Sequence, residues 1–272
     1  MAIDPRLVST LHLQALRHAA LPAEERAAHV AFQTSTLEAL LDGAYDGDLT
    51  IGELRRHGDL GLGTFDALDG EMIVLDGEVW RARADGTVER APDDARTPFA
   101  IVTPFEADAT IAVEGAVEQE ELVALVASHA TAAGGSAGAG DADGGSCCAL
   151  RFDGRLELVH ARSVPPQPKP YPPLAEAAAT QREFDLGPVD GSLAGFVFPS
   201  WAGGVELPGA HLHAITADRT RGGHVLHARI GPGVLRIATV SDLHLELPPG
   251  IELPVGGLGA ERAAALDRLE NR

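Results

Sequence analysis

Strand-like apolar runs bounded by glycine, proline and aspartate dominate the pattern of the chain. In "EMIVLDGEVWRARADGTVERA" the pairs Asp76-Gly77 and Asp85-Gly86 punctuate such runs, and Asp-Gly favours the left-handed backbone of a tight hairpin. An antiparallel meander is predicted there. "PFAIVTPF" and "TIAVEG" predict further strands, and "CCALRFDGRLELVHARSV" predicts a hairpin turning at Asp153-Gly154. A second strand-rich region is predicted from "GSLAGFVFP", "AHLHAIT", "HVLHARIG", "VLRIATV" and "DLHLELP".

Helical signals are fewer. Ser35-x-x-Glu38 and Thr50-x-x-Glu53 match the capping box, in which hydroxyl and carboxylate satisfy orphan backbone donors, and predict short helices over 36–43 and 51–57. "EQEELVALVASHA" has helical apolar spacing, and a last helix over 259–270 places Ala264, Leu266 and Leu269 to one side. Residues 131–146, rich in glycine and alanine, predict a flexible loop. "PPQPKPYPP" at 165–173 favours an extended linker. The expectation is a mixed α/β (α+β) fold of two domains, each built on a mainly antiparallel or mixed β-sheet with flanking helices. Its divisions are an N-terminal extension (1–30), a first sheet domain (31–164), the linker (165–173), a second sheet domain (174–258) and a C-terminal helix (259–272).

Composition narrows the functional classes. The chain has 272 residues, enough for a sizeable core, and a net charge of −19, which disfavours nucleic acid and anionic membrane surfaces. No run approaches the ~18–20 apolar residues of a membrane helix. The N-terminus, with Asp4, Pro5 and scattered charge, does not read as a signal peptide. Adjacent Cys147 and Cys148 read as small apolar strand residues in a reducing cytoplasm.

"PGAHLHAITADRTRGGH" concentrates three of the chain's 11 histidines. On a strand, His211 and His213 share a face, and an antiparallel return brings His224 beside them. His227 then points away, and His244 is expected to face solvent. An isolated H-x-H is also an ordinary polar pair on a half-exposed strand; the third histidine and Gly222-Gly223 shift the balance toward a metal site. Three neutral imidazoles suit Zn²⁺, with Cu, Fe or Ni as alternatives, and leave room for water or a substrate. A strand-borne set of this kind also fits a cupin-like non-haem oxygenase or a non-catalytic metal-binding module. A cupin reading leaves "LGTFDALDGE" unexplained.

Several long motifs in register resemble the alpha-acetolactate decarboxylase family. They are "LDGAYDGDLTIGELRRHGDLGLGTFDALDGEMIVLDG" at 41–77, "TPFAIVTPF" at 97–105 and "PGAHLHAITADRTRGGHVL", and the likeness runs from about residue 34 to the C-terminus. The resemblance implies a two-domain α/β fold, a homodimer, and a zinc enzyme that decarboxylates 2-acetolactate to (R)-acetoin in the butanediol branch of pyruvate metabolism. It implies His211, His213 and His224 as zinc ligands, with Glu71 of "LDGE", Thr64 of "LGTF", Arg151 of "CALRFDG" and Glu270 of "DRLENR" as functional residues. Glu270 would reach the pocket on the returning C-terminal helix.

The chemistry of that substrate gives these types a purpose. Acetolactate carries a carboxylate, a tertiary hydroxyl and a ketone on adjacent carbons, so a Lewis acid can draw off the charge released with CO₂. Arg151 offers a planar fork to an anion that a chain of net charge −19 must capture locally. Glu71 or Glu270, its pKa raised by burial, can protonate the remaining carbon. Each also has an ordinary reading: Glu71 as a turn carboxylate, Arg151 as a surface cross-strand partner, Thr64 as a β-prone residue, Glu270 as a frayed helix end.

Overall fold

The structure, a computed structural model, describes residues 12–17, 28–132, 147–199, 202, 205, 206 and 208–251. In chain order it runs β1 (His12–Arg17), β2 (Val30–Thr34), α1 (Leu37–Leu41), β3 (Leu49–Thr50), α2 (Ile51–Leu54), β4 (Leu60–Thr64), β5 (Glu71–Leu75) and β6 (Glu78–Ala82). There follow β7 (Val88–Arg90), β8 (Arg96–Thr97), β9 (Ala100–Thr103), β10 (Ala109–Val113), β11 (Val117–Glu118), α3 (Gln119–Ala132) and β12 (Cys147–Ser163). The remainder comprises α4 (Leu174–Ala178), β13 (Arg182–Leu186), β14 (Val189–Phe198), β15 (Gly209–Thr216), β16 (Gly222–Val240) and β17 (Asp242–Leu247). Among the described residues strand outweighs helix 52% to 14%, which narrows the expected mixture to a mostly β protein.

Eight strands form one sheet in the order β1-β17-β2-β9-β4-β5-β6-β7. The second sheet has seven, ordered β10-β16-β15-β14-β12-β13 with β11 also on β16. Because β16 pairs with β12 as well as with β15, the path β12-β14-β15-β16 closes on itself. Sheet membership does not follow the proline-rich segment. β12 precedes that segment yet lies in the middle of the second sheet, while β17 follows it and returns to the first, between β1 and β2.

Local chemistry accounts for most boundaries. Thr50 caps α2 as expected: its hydroxyl accepts from Glu53 N at 3.2 Å and the Glu53 carboxylate accepts from Thr50 N at 2.9 Å. For α1 the cap is Thr36, not Ser35. Thr36 is extended, as a cap must be, whereas Ser35 is left-handed with φ 65°. Asp76-Gly77 (φ 54° and 73°) does turn β5 into β6.

Asp153-Gly154, however, lies inside one 17-residue strand. A Cβ on Gly154 would stand 2.5 Å from Gly233 Cα and from Pro232 O, so glycine serves here for close approach of β16. "HVLHARIG" and "VLRIATV" likewise merge into the single strand β16, because an irregularity in pairing between Gly154 and Leu156 takes Gly231 and Pro232 out of the ladder. The predicted loop beyond residue 132 and the helix over 259–270 lie outside the described residues.

The second sheet separates two cores. Toward the first sheet it packs Ala149, Phe196, Ile215 and Val240 against Leu62, Ile73 and Leu75. On its other face, Leu150, Phe152, Leu193 and Ile237 are covered by Leu122 and Val126 of α3. Each such fully buried side chain contributes about 1.5–3 kcal/mol. Cys147 and Cys148, free and buried, fall one into each core, as period-two alternation requires. A smaller cluster joins Leu37 and Leu40 of α1, Leu174 of α4, Tyr45, Leu68, Phe99 and Val164. All of these but Tyr45 line the cavity of the candidate site.

Candidate metal centre and its cavity

His213 stands opposite His224 across β15 and β16, and His224 stands opposite Arg162 across β16 and β12. One lateral row thus brings together three side chains, and His211, two residues before His213, projects from the same face. The three imidazoles are buried, and their ring centroids lie 5.2–5.3 Å apart. One nitrogen of each falls within 4.8 Å of the others.

The turn between the strands is built from side chains. Asp218 Oδ1 accepts from Thr216 Oγ1 at 2.6 Å, Thr220 N at 3.1 Å and Thr220 Oγ1 at 2.8 Å, bonds that hold its carboxyl below the usual range. Next to His224, a Cβ on Gly223 would lie 2.8 Å from Arg162 O; the glycine lets β12 and β16 close up.

His213 has a fixed tautomer. Its Nδ1 donates to Met72 O at 2.7 Å, a carbonyl that can only accept, so the lone pair sits on Nε2, 3.2 Å from His224 Nδ1. Burial, followed by the neighbouring histidines, pushes its pKa well below the ordinary value. A neutral imidazole with an inward lone pair is the form that binds a transition metal. Three buried nitrogen donors with cavity space beside them therefore fit such an ion and leave further coordination positions open.

The cavity has two kinds of lining. Thr64, Glu71, Arg162, His211 and His224 supply polar groups, and Leu37, Leu40, Leu68, Phe99, Val164 and Leu174, members of one cluster, form its apolar wall. Glu71 begins β5 opposite Thr64 on β4. Its carboxylate is buried, 3.3 Å from Arg162 Nη1 and 3.8 Å from His213 Nε2. Thr64 Oγ1 donates to Gly70 O at 2.9 Å, bracing the turn that leads into Glu71.

Among the residues expected from the sequence, the structure brings Glu71, Thr64, His211 and His224 to the lining of one cavity, with His213 behind them in the histidine cluster. Arg151 is not brought there. Its guanidinium binds Asp76 (Nη1, 2.6 Å) and Asp153 (Nε, 2.6 Å), joining the β5–β6 turn to the second sheet. The arginine at the site is Arg162, on the same strand, which the sequence reading passed over. Its signal was slight: a charged residue in "HARSV", at the strand end before the proline-rich segment. Glu270 lies outside the described residues. His227 points away, 3.5 Å from Glu118, as alternation predicts. His244 does not face solvent: β17 is an interior strand, and the ring is 8% exposed.

A mostly β protein with a buried three-histidine cluster that could hold a metal ion, beside a cavity lined by a carboxylate, a guanidinium and an apolar wall, defines a class: β proteins with a histidine centre next to an enclosed, partly polar cavity. Residues 31–252 match the family model described as alpha-acetolactate decarboxylase. The alpha-acetolactate decarboxylase of Methylococcus capsulatus is 40% identical over 220 residues, 81% of this chain and 80% of that protein. The one from Methanosarcina mazei is 38% identical over 244 residues, 90% and 81%. The crystal structure of the Bacillus subtilis strain 168 protein superposes with a TM-score of 0.79 at 33% identity, covering 89% of this chain and all of that one. The chain belongs to the alpha-acetolactate decarboxylase family, a family of carboxy-lyases. Membership accounts for the "LGTFDALDGE" block that a cupin-like arrangement leaves over.

Proposed function

We propose that this chain decarboxylates 2-acetolactate to (R)-acetoin and CO₂ with a zinc ion held by His211, His213 and His224. The observation that carries the reading is a buried three-histidine cluster whose His211 and His224 line one cavity together with Glu71, Arg162 and an apolar wall. When bound, the ion supplies Lewis acidity toward the oxygens of the substrate.

The protein's own groups divide the remaining work. Arg162, buried and planar, binds the carboxylate through paired N–H donors, the role first assigned to Arg151. Glu71 holds a proton at its carboxyl and delivers it to the carbon that loses CO₂, from the one face on which it stands. Glu270 is retained as a second candidate for that delivery. Thr64 braces the backbone before Glu71, and the leucines keep water from the electron-rich carbon. A homodimer in the cytoplasm is part of the same proposal; no described helix is long and apolar enough to cross a membrane.

Purified protein incubated with racemic acetolactate, with and without a chelator, tests the reading. Acetoin and CO₂ are expected only with metal present. Glu71→Gln should keep the metal and lose turnover by ~10²–10⁴-fold. Normal acetoin formation by that variant, with normal stereochemistry, removes Glu71 from the proton transfer.

A further inference from the structure

The apolar wall contains one side chain held in an unusual way. Leu68 has φ 58°, and Ala67 before it has φ 60° and ψ 21°. Two consecutive left-handed residues that are not glycine, one of them bulky, persist only where their surroundings over-determine them.

Those surroundings come from distant parts of the chain. Ala67 N donates to Tyr45 O at 2.8 Å, Ala67 O accepts from Gln167 N at 2.8 Å, and Gly70 N reaches Val164 O at 3.2 Å. Asp69, the next residue, is gripped by Arg81 at 2.9 Å and Arg83 at 3.0 Å. Gln167 belongs to the proline-rich segment, which therefore serves as a clamp on this turn. The result is a Leu68 side chain only 4% exposed, lining the cavity three residues before Glu71. A single braced turn thus delivers both the Glu71 carboxylate and a leucine of the apolar wall to the lining of one cavity.

We propose that Leu68 is a specificity-determining residue that limits the size of the alkyl group on C2 of the substrate. The inference rests on the decarboxylase reading above and adds to it. C2 of a 2-alkyl-2-hydroxy-3-oxo acid carries a carboxylate, a hydroxyl, an acyl group and the alkyl group. If every oxygen-bearing substituent turns to the side of Arg162, Glu71 and the histidines, the alkyl group is the one left to face the leucines. A wall on an ordinary loop could retreat from a longer alkyl chain. This one is fixed by its backbone, so the limit should be sharp.

The test is a homologous series in which the C2 substituent grows from methyl to ethyl to propyl, read as ratios of kcat/KM. Leu68→Gly suits it, because glycine accepts the left-handed backbone and removes the side chain. The propyl-to-methyl ratio should rise at least tenfold, roughly the effect of a methylene or two in an apolar pocket, with bound zinc unchanged. Ala67→Gly relieves the same backbone without touching the wall; its ratio should stay at the wild-type value while its unfolding midpoint rises by roughly 2–4 °C. If Leu68→Gly does not fold, Leu68→Ala reads the same ratio.

An unchanged ratio in the folded Leu68 variant overturns the proposal, as does an equal change in Ala67→Gly, which would assign the effect to the backbone. A wild-type chain that turns over no member of the series defeats the decarboxylase reading instead.

Discussion

Arg162 Nη1 stands 3.3 Å from Glu71 Oε1, with side chains 8% and 9% exposed, across 91 residues of sequence. A guanidinium and a carboxyl group enclosed together offer a substrate one permanent cation and one group able to hand over a proton. Arg162→Lys should lower kcat/KM by ~10²–10³-fold, because an ammonium cannot supply paired donors to a planar anion. Arg151→Ala should instead leave turnover near wild type and lower stability by no more than about 1 kcal/mol, since it breaks only part-exposed ion pairs. Steady-state kinetics and urea unfolding on the two variants decide which arginine serves the site.

Metal content gives an independent reading. One zinc per chain is expected by mass spectrometry of the purified protein, falling to near zero when His211, His213 and His224 are all replaced by alanine. His227→Ala should change nothing, because its ring lies on another face. A ligand bound only by the native state at 100 times its Kd stabilises by about 2.7 kcal/mol, so a chelator should lower the unfolding midpoint of the wild type and not of the triple variant.

The pH dependence of stability should carry a contribution from His160. A hydrogen bond to Asp185 Oδ1 at 2.8 Å, with Glu183 as a further partner, raises its pKa above 6.5 against a smaller loss from burial, and His227 faces it across β16. A pKa raised in the folded state means that stability is fully present below pH 6.5 and lost as pH climbs through the raised value. His160→Gln should flatten the thermal midpoint over that window. At the acid end the sign reverses: Arg151 holds the Asp76 carboxyl below 3.8, so the stability it gives is present above that pH and is lost as pH falls through the lowered value. Asp76→Asn should reduce the acid loss. Both groups are well exposed, so each effect should be small and should shrink in salt.

Gly154→Ala tests the strand that replaced the expected hairpin. At an exposed turn glycine the change costs little when φ permits it. In the middle of β12 the new methyl meets Gly233 Cα and Pro232 O at 2.5 Å, and a loss of about 1–3 kcal/mol is expected by denaturant unfolding. A loss below ~0.5 kcal/mol would place Gly154 in open space.

The sequence by itself determined whatever depends on neighbours along the chain. The Thr50–Glu53 cap and the Asp76-Gly77 turn rest on bonds and dihedrals spanning only a few residues. The shared face of His211 and His213 follows from the two-residue period of a strand, and the placement of His224 needs only one short turn more. Motifs in register were enough to reach the family.

Tertiary structure decided what depends on partners far away in sequence. Arg151 and Arg162 are alike in local pattern, and only the pairing of β12 with β16 puts one beside His224 and leaves the other with Asp76 and Asp153. Asp153-Gly154 has the composition of a turn, yet the close approach of Gly233 makes it strand. His244 alternates like a surface residue but sits on β17, which is enclosed by β1 and β2. The left-handed Leu68 could not be foreseen from "DALDG", because the bonds that hold it there come from Tyr45, Val164 and Gln167, and the chain collects those groups only by folding.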